Sequence, residues 1–219
     1  MSSVMHHPAT ELLLDYHNGR MPRGQGLTVR AHVEACAECR AQLRLFDVIG
    51  AALLEDTDGI EMSADALDLA LARIERPEER VAQPIAKPAK PKPYLEGIAL
   101  PAGLTAQDFK SRYWAAPGVW IASLDNETDG AHTYLMGVKG GMNMPDHDHK
   151  GLELTVVLTG RFSDVGGDYL PGDLVAQAPG DIHAPAIAGG QECICLISAL
   201  APIAPKTLLG KLLKPFARI

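Results

Sequence analysis

Gly141, His147, His149, Glu153 and Gly160 stand in the spacing G-x5-H-x-H-x3-E-x6-G, and His183 follows thirty residues after the glutamate. Residues i and i+2 of a strand face the same side, so His147 and His149 are expected to project together. Gly151 breaks that strand, and Leu152-Glu-Leu-Thr-Val-Val-Leu158 begins the next. Three neutral imidazoles and a carboxylate converging inside a small β-barrel make a mononuclear site for a borderline divalent ion such as Zn, Fe, Mn or Ni. Any one of these residues alone reads as a polar group on a loop. All four in one frame with the glycines point to a metal.

The rest of the chain divides around prolines at 77, 84, 88, 91 and 93, interleaved with lysines at 87, 90 and 92. Such a stretch is expected to be extended and solvated, a semi-rigid spacer over 77–93. Upstream the hydrophobic pattern has a helical period. Downstream, short apolar runs are punctuated by Gly, Pro and Asp, the pattern of strands and turns. A multi-domain chain is therefore expected: an all-α four-helix region over 1–76, the linker 77–93, an all-β barrel over 94–200 and a basic tail over 201–219.

With 219 residues, 47% of them apolar, the chain can bury two modest cores. The total charge of −7 comes from acidic surpluses in both predicted domains. That argues against direct DNA binding and suits a basic protein partner. No apolar run is long enough to span a membrane. The start lacks a basic segment followed by an apolar one, so no secretory leader and a cytoplasmic address are expected.

Four helices are predicted in the first 76 residues. Pro8 and the stripe Leu12, Leu13, Tyr16 define the first, which Asn18 and Gly19 stop. The second runs from about Leu27 to Ala35 and the third from about Cys39 to Glu55. The fourth follows Ser63 and carries Leu67, Leu71 and Ile74 on one face. So small a core needs a further constraint, and the spacing His32-x3-Cys36-x2-Cys39 supplies one. His32 and Cys36 lie one helical turn apart on the same face. Cys39 falls at the start of the next helix, where the positive helix end favours a thiolate. A closed tetrahedral zinc site needs a fourth ligand, for which His7, His6 and His17 are the candidates. The other readings are inert core cysteines and a redox dithiol, but no strand precedes the pair as a thioredoxin-like unit would require.

The histidine–glutamate frame resembles the first signature of the cupin family, over about Tyr94 to Leu200. The second cupin signature is less faithful, being one residue shorter between Pro179 and His183. This resemblance implies a jelly-roll, or double-stranded β-helix, barrel. The H-x3-C-x2-C helical region resembles the zinc-binding anti-sigma family of bacteria, and with a C-terminal cupin the whole chain resembles the ChrR type. That resemblance implies zinc on His7, His32, Cys36 and Cys39, and zinc or another divalent transition metal on His147, His149, Glu153 and His183. It further implies capture of an extracytoplasmic-function-type sigma factor by the helical region. Release would follow an oxidative signal, such as singlet oxygen, sensed through the cupin.

A metal-dependent cupin enzyme such as a dioxygenase is the alternative, since an open three-His, one-Glu site can activate oxygen. No dedicated general base stands beside the ligands, so the regulator is preferred and enzymatic activity is left undecided. His17 and His132 lie outside both motifs. Cys193 and Cys195 share one face of a late strand and read as buried structural thiols, because a bridge between i and i+2 is strained. Met142 and Met144 are read as buried packing residues, with pocket lining or oxidation by the signal as alternatives, Trp114 and Trp120 as packing residues of the first strands, and the amphipathic tail as packing on the barrel or a dimer contact rather than a membrane anchor.

Overall fold

The computed structural model describes residues 4–75, 92–201 and 204–205. The expected spacer over 77–93 lies outside the described residues except at its last two, and the basic tail lies outside them beyond Pro205.

The four helices are α1 (Thr10–His17), α2 (Arg23–Ala35), α3 (Ala37–Glu55) and α4 (Ala66–Glu75). Helix α2 begins a full turn earlier than its apolar pattern suggested. Pro22 starts it, and Gly24 and Gly26 hid the first turn because glycine reads as a helix breaker. Gly24 is required by packing: a Cβ there would lie 1.7 Å from Thr133 Oγ1. Its absence lets the helix backbone close onto the β-sheet.

Twelve strands follow among the described residues: β1 (Tyr113–Ala116), β2 (Val119–Ser123), β3 (His132–Val138), β4 (His147–Asp148), β5 (Glu153–Thr159), β6 (Phe162–Asp164), β7 (Gly167–Tyr169), β8 (Leu174–Gln177), β9 (Ile182–His183), β10 (Ala186–Ile187), β11 (Cys193–Ala199) and β12 (Ala204–Pro205). A six-stranded sheet has the order β1-β2-β3-β11-β5-β8, and two three-stranded sheets have the orders β10-β6-β7 and β12-β4-β9. All pairings are antiparallel. Inward residues of the large sheet, among them Ile121, Tyr134, Val157 and Cys195, share a core with Phe162, Tyr169 and Ile187 of a small one. This is the sandwich closure of a cupin-like barrel.

The outer face of the large sheet is also covered. Leu135, Val156 and Leu196 pack with Leu27 of α2 and with Leu95, Leu104 and Phe109 of the segment before β1. Leu154 and Leu174 pack with Leu13, Val29 and Val33. Strand β11 is buried along its whole length, the signature of a strand covered on both faces.

The chain consequently divides at other places than the sequence boundaries. One compact unit contains Met1–Phe46 and Lys92–Ile219, the other Asp47–Pro91. The expected boundaries, 1–76 and 94–200, had assumed that the helices bury their apolar faces on one another. Instead α2 buries its face on the sheet. In the second unit, none of residues 47–75 is buried. Trp114 also departs from expectation. It lies on the edge strand β1, is 61% exposed and sits 5.5 Å from the Arg112 guanidinium, whereas Trp120 is buried and donates its indole N–H to Glu192. No helix among the described residues is long and apolar enough to cross a membrane.

Candidate metal centres

Two clusters of ligand-type side chains converge among the described residues. The first is built where α2 gives way to α3. Cys36 adopts an extended backbone (φ −105°, ψ 113°) that ends α2, while its amide still donates to the His32 carbonyl. The knuckle turns the chain so that the Cys39 amide donates to Cys36 Sγ at 3.4 Å. From the first turn of α3, Arg40 caps the C-terminal end of α2 through the Val33 and Glu34 carbonyls. His7 arrives from the extended segment before α1, and the ligand atoms of His7, His32, Cys36 and Cys39 all lie within 4.8 Å of one another. His32 Nε2 is 3.1 Å from Cys39 Sγ, and His7 Nδ1 is 3.4 Å from Cys36 Sγ and 3.6 Å from Cys39 Sγ. Of the other fourth-ligand candidates, His6 packs on Tyr169 and His17 on Phe46.

Electrostatics favour a cation here. His32 is fully buried, and its Nδ1–H donates to the Gly172 carbonyl at 2.7 Å, which leaves the Nε2 lone pair facing Cys39. Burial lowers the His32 pKa, so the ring is held neutral, as a ligand must be. For Cys39 the expected helix-end effect loses: burial, then the neighbouring Cys36, pushes its thiol up to about 12. Two thiolates this close need a dication between them. Two sulfurs and two imidazole nitrogens make a tetrahedral donor set.

The second cluster lies in the barrel. His147 and His183 are register partners across β4 and β9, with Nε2 atoms 2.9 Å apart. His147 Nδ1–H donates to the Pro145 carbonyl at 3.0 Å, and His183 Nδ1–H donates to Asp164 Oδ2 at 2.9 Å. Both outer nitrogens being donors, the two Nε2 lone pairs face each other, an arrangement that a metal ion relieves. The ring of His149, just past the end of β4, stands about 5 Å from both (5.1 Å and 5.0 Å). Burial, then the two other imidazoles, lowers the His149 pKa to about 4. Burial likewise lowers that of His147.

Glu153 opens β5 beside this trio but outside the mutually close set, with Oε2 3.7 Å from His149 Nδ1. Burial raises its carboxyl to about 7. Glu153 Oε2 and His149 Nε2 are buried without a hydrogen-bond partner. Each such orphan costs about 1–3 kcal/mol, and a cation shared with His147 and His183 would satisfy both. The donors present therefore fit a divalent ion.

Three residues with a part in these centres escaped the sequence reading. Asp164 orients His183; Gly172 accepts from His32 through its backbone; and Asp173 holds the segment leading to His7. Asp173 Oδ1 accepts from the Met5 and His6 amides at 2.6 and 3.0 Å, and Oδ2 accepts from the Leu170 amide at 2.8 Å. Pro171, Gly172 and Asp173 are legible as a turn, but nothing in the sequence says what the turn grips.

Comparison with known proteins bears on the same regions. Residues 104–202 match the profile of the ChrR cupin-like domain. The anti-sigma-E factor ChrR of Cereibacter sphaeroides is 32% identical over 219 residues, covering 99% of this chain and all of that protein. A crystal structure of Rhodobacter sphaeroides SigE in complex with the anti-sigma ChrR aligns with a TM-score of 0.69 at 30% identity, over 90% of this chain and 99% of the matched one. With likeness of this extent from end to end, the chain belongs to the ChrR family of anti-sigma factors.

Proposed function

We propose that this protein is an anti-sigma factor that binds an extracytoplasmic-function-type sigma factor in the cytoplasm and keeps it from RNA polymerase. The observation that carries the reading, beside the family, is the second compact unit. Val48, Ile49, Leu53 and Leu54 of α3 and Leu67, Leu71 and Ile74 of α4 are all about half exposed or more, with Ile74 at 80%. A soluble monomer rarely leaves so many large apolar side chains in water, and such a surface marks a place for a partner. Helices with i, i+4 apolar spacing dock in the grooves of a partner protein, which is the chemistry a sigma factor would meet here.

Zinc on His7, His32, Cys36 and Cys39 closes the knuckle from which α3 extends, a structural role that tetrahedral two-Cys, two-His sites fill. The barrel set His147, His149, His183 and Glu153 takes zinc or another divalent transition metal and serves as the sensor. An oxidant of the singlet-oxygen kind would disturb this set. Met142 and Met144, packed against the barrel core, are further oxidisable groups close to it in sequence. Oxidation of the metal-loaded barrel, rather than absence of its metal, then leads to release of the sigma factor.

Binding of the cognate sigma factor to the metal-loaded chain, measured by calorimetry with Leu71→Glu and Ile49→Glu variants, tests this reading. Each substitution should weaken binding by about 10- to 100-fold, the equivalent of removing one buried Leu or Ile from an interface. Unchanged affinity in both would place the interface elsewhere.

A further inference from the structure

The two centres are joined by a short run of contacts through the barrel. His183, of the barrel cluster, donates to Asp164 on β6 at 2.9 Å, and both side chains are buried. The Asp164 carboxylate also lies by the Tyr169 hydroxyl of the partner strand in the same hairpin: both flank Gly166, and burial, then Asp164, raises the phenol to about 12. The Tyr169 ring lies against the His6 ring, with centroids 4.4 Å apart, and His6 immediately precedes the zinc-centre residue His7.

The turn that leaves Tyr169 then closes on the helical centre from two sides. Asp173, fully buried, takes the amides of Met5 and His6, while Leu174 N–H donates to the His6 carbonyl at 3.1 Å. The Gly172 carbonyl, one residue away, takes His32 Nδ1–H. Gly172 has φ +95°, and a Cβ on it would stand 2.9 Å from both Ala35 Cβ and Val4 Cγ2. No side chain fits there, so the turn is wedged between the end of α2 and the N-terminal segment. His7 and His32 are thus both positioned by residues 169–174, and that segment is tied to His183 through Asp164.

We propose that Asp164, Tyr169 and Asp173 are positioning residues that couple metal occupancy of the barrel cluster to metal affinity at His7, His32, Cys36 and Cys39. The inference rests on the two-centre reading above and names the physical route by which a change in the barrel reaches the knuckle. A metal on His183 Nε2 fixes the ring, and with it the Nδ1–H bond to Asp164 and the Tyr169 hydroxyl. Releasing that ring frees Asp164 and removes the restraint on the Tyr169 ring that lies tilted against His6. Coupling of this kind is reciprocal, so each centre would tighten the other by the same factor.

Cobalt reports on the helical centre alone, because only that centre has thiolates to give sulfur-to-metal charge-transfer absorption. Its affinity is to be measured by chelator competition in the full chain, with the barrel cluster loaded and with it disabled by His149→Ala, a residue outside the route. We expect the disabled chain to bind cobalt at the knuckle more weakly, within the roughly 5- to 150-fold range usual for coupled sites. Tyr169→Phe keeps the ring against His6 but removes the hydroxyl, and Asp164→Asn keeps the shape but weakens the hold on His183. Either should abolish the difference while both centres still bind metal. Equal knuckle affinity in the loaded and disabled chains overturns the proposal, as does the full difference persisting in both variants. Should one variant fail to fold, the other decides. Sigma binding plays no part in the readout, so a chain that binds no sigma factor would refute the proposed function without touching this result.

Discussion

Chelation should unfold a fragment of residues 1–76 but not the same helices in the full chain. In the full chain Leu27, Val29 and Val33 of α2 are buried in clusters completed by sheet residues such as Val156, Leu154 and Leu174. Cutting away the sheet exposes those three side chains at about 1.5–3 kcal/mol each, a loss of about 5–9 kcal/mol. The buried His32–Gly172 hydrogen bond goes with them, leaving a donor to be satisfied by water. A structural zinc contributes about 10–16 kcal/mol of apparent binding free energy to small two-Cys, two-His sites, more than the loss. The zinc-loaded fragment should therefore fold and the metal-free fragment should not. Circular dichroism at 222 nm, recorded with zinc, after EDTA and after zinc is restored, reads this directly. The fragment should lose most of its helicity and regain it, while the full chain, with α2 still seated on the sheet, keeps a larger share. A metal-free fragment with undiminished helicity and a cooperative melt would refute the reasoning.

Gly24→Ala should destabilise the full chain by about 1–3 kcal/mol in thermal melts, the usual cost of overpacking, because Thr133 is held by its bond to Ser198 and cannot turn away from the new methyl group. Asp173 should contribute to acid sensitivity: although burial by itself raises its carboxyl, the backbone amides of His6, Leu170 and Met5 hold it below its ordinary value of 3.8. A depressed folded pKa gives stability that is present above the unfolded value and lost as pH falls through the folded one. Asp173→Asn should thus be less stable than the parent at pH 7, with the gap closing below about pH 4 in denaturant titrations. Replacing His147, His149 or Glu153 by Ala should leave sigma binding intact and blunt the response of a sigma-driven reporter to singlet oxygen; a reporter that is constitutively on would make the barrel part of the inhibitory contact.

Side-chain spacing made both clusters legible. His32, Cys36 and Cys39 share a helix end, and His147 and His149 share a strand face, so local periodicity brings each set together before any long-range contact forms. His183 could be placed because it closes a Gly- and Pro-punctuated stretch that resembles the second barrel signature, one residue short between Pro179 and the histidine. What escaped was non-local or lay in the backbone. The Gly172 carbonyl has no side chain to read, and Asp164 and Asp173 look like ordinary turn carboxylates until the partners they grip are known. The domain boundary misled for a related reason. A proline-rich spacer suggests independence, yet the adjacent Val156 and Val157 of β5 face opposite sides of the sheet and both are buried, so the outer face needed a cover as well, and α2 supplies it. Exposure of the apolar stripe on α4 was likewise invisible, because a stripe at helical spacing reads the same whether it packs at home or on a partner.

Reconstituted transcription tests the central claim most directly: RNA polymerase, the cognate extracytoplasmic-function sigma factor and a promoter it reads, with the metal-loaded chain added in increasing amounts. The account predicts a stable complex of chain and sigma factor on size exclusion and loss of sigma-directed transcripts in step with complex formation, and it predicts that the Leu71→Glu variant inhibits only at much higher concentration. Undiminished transcription at saturating chain, with no complex formed, would contradict it.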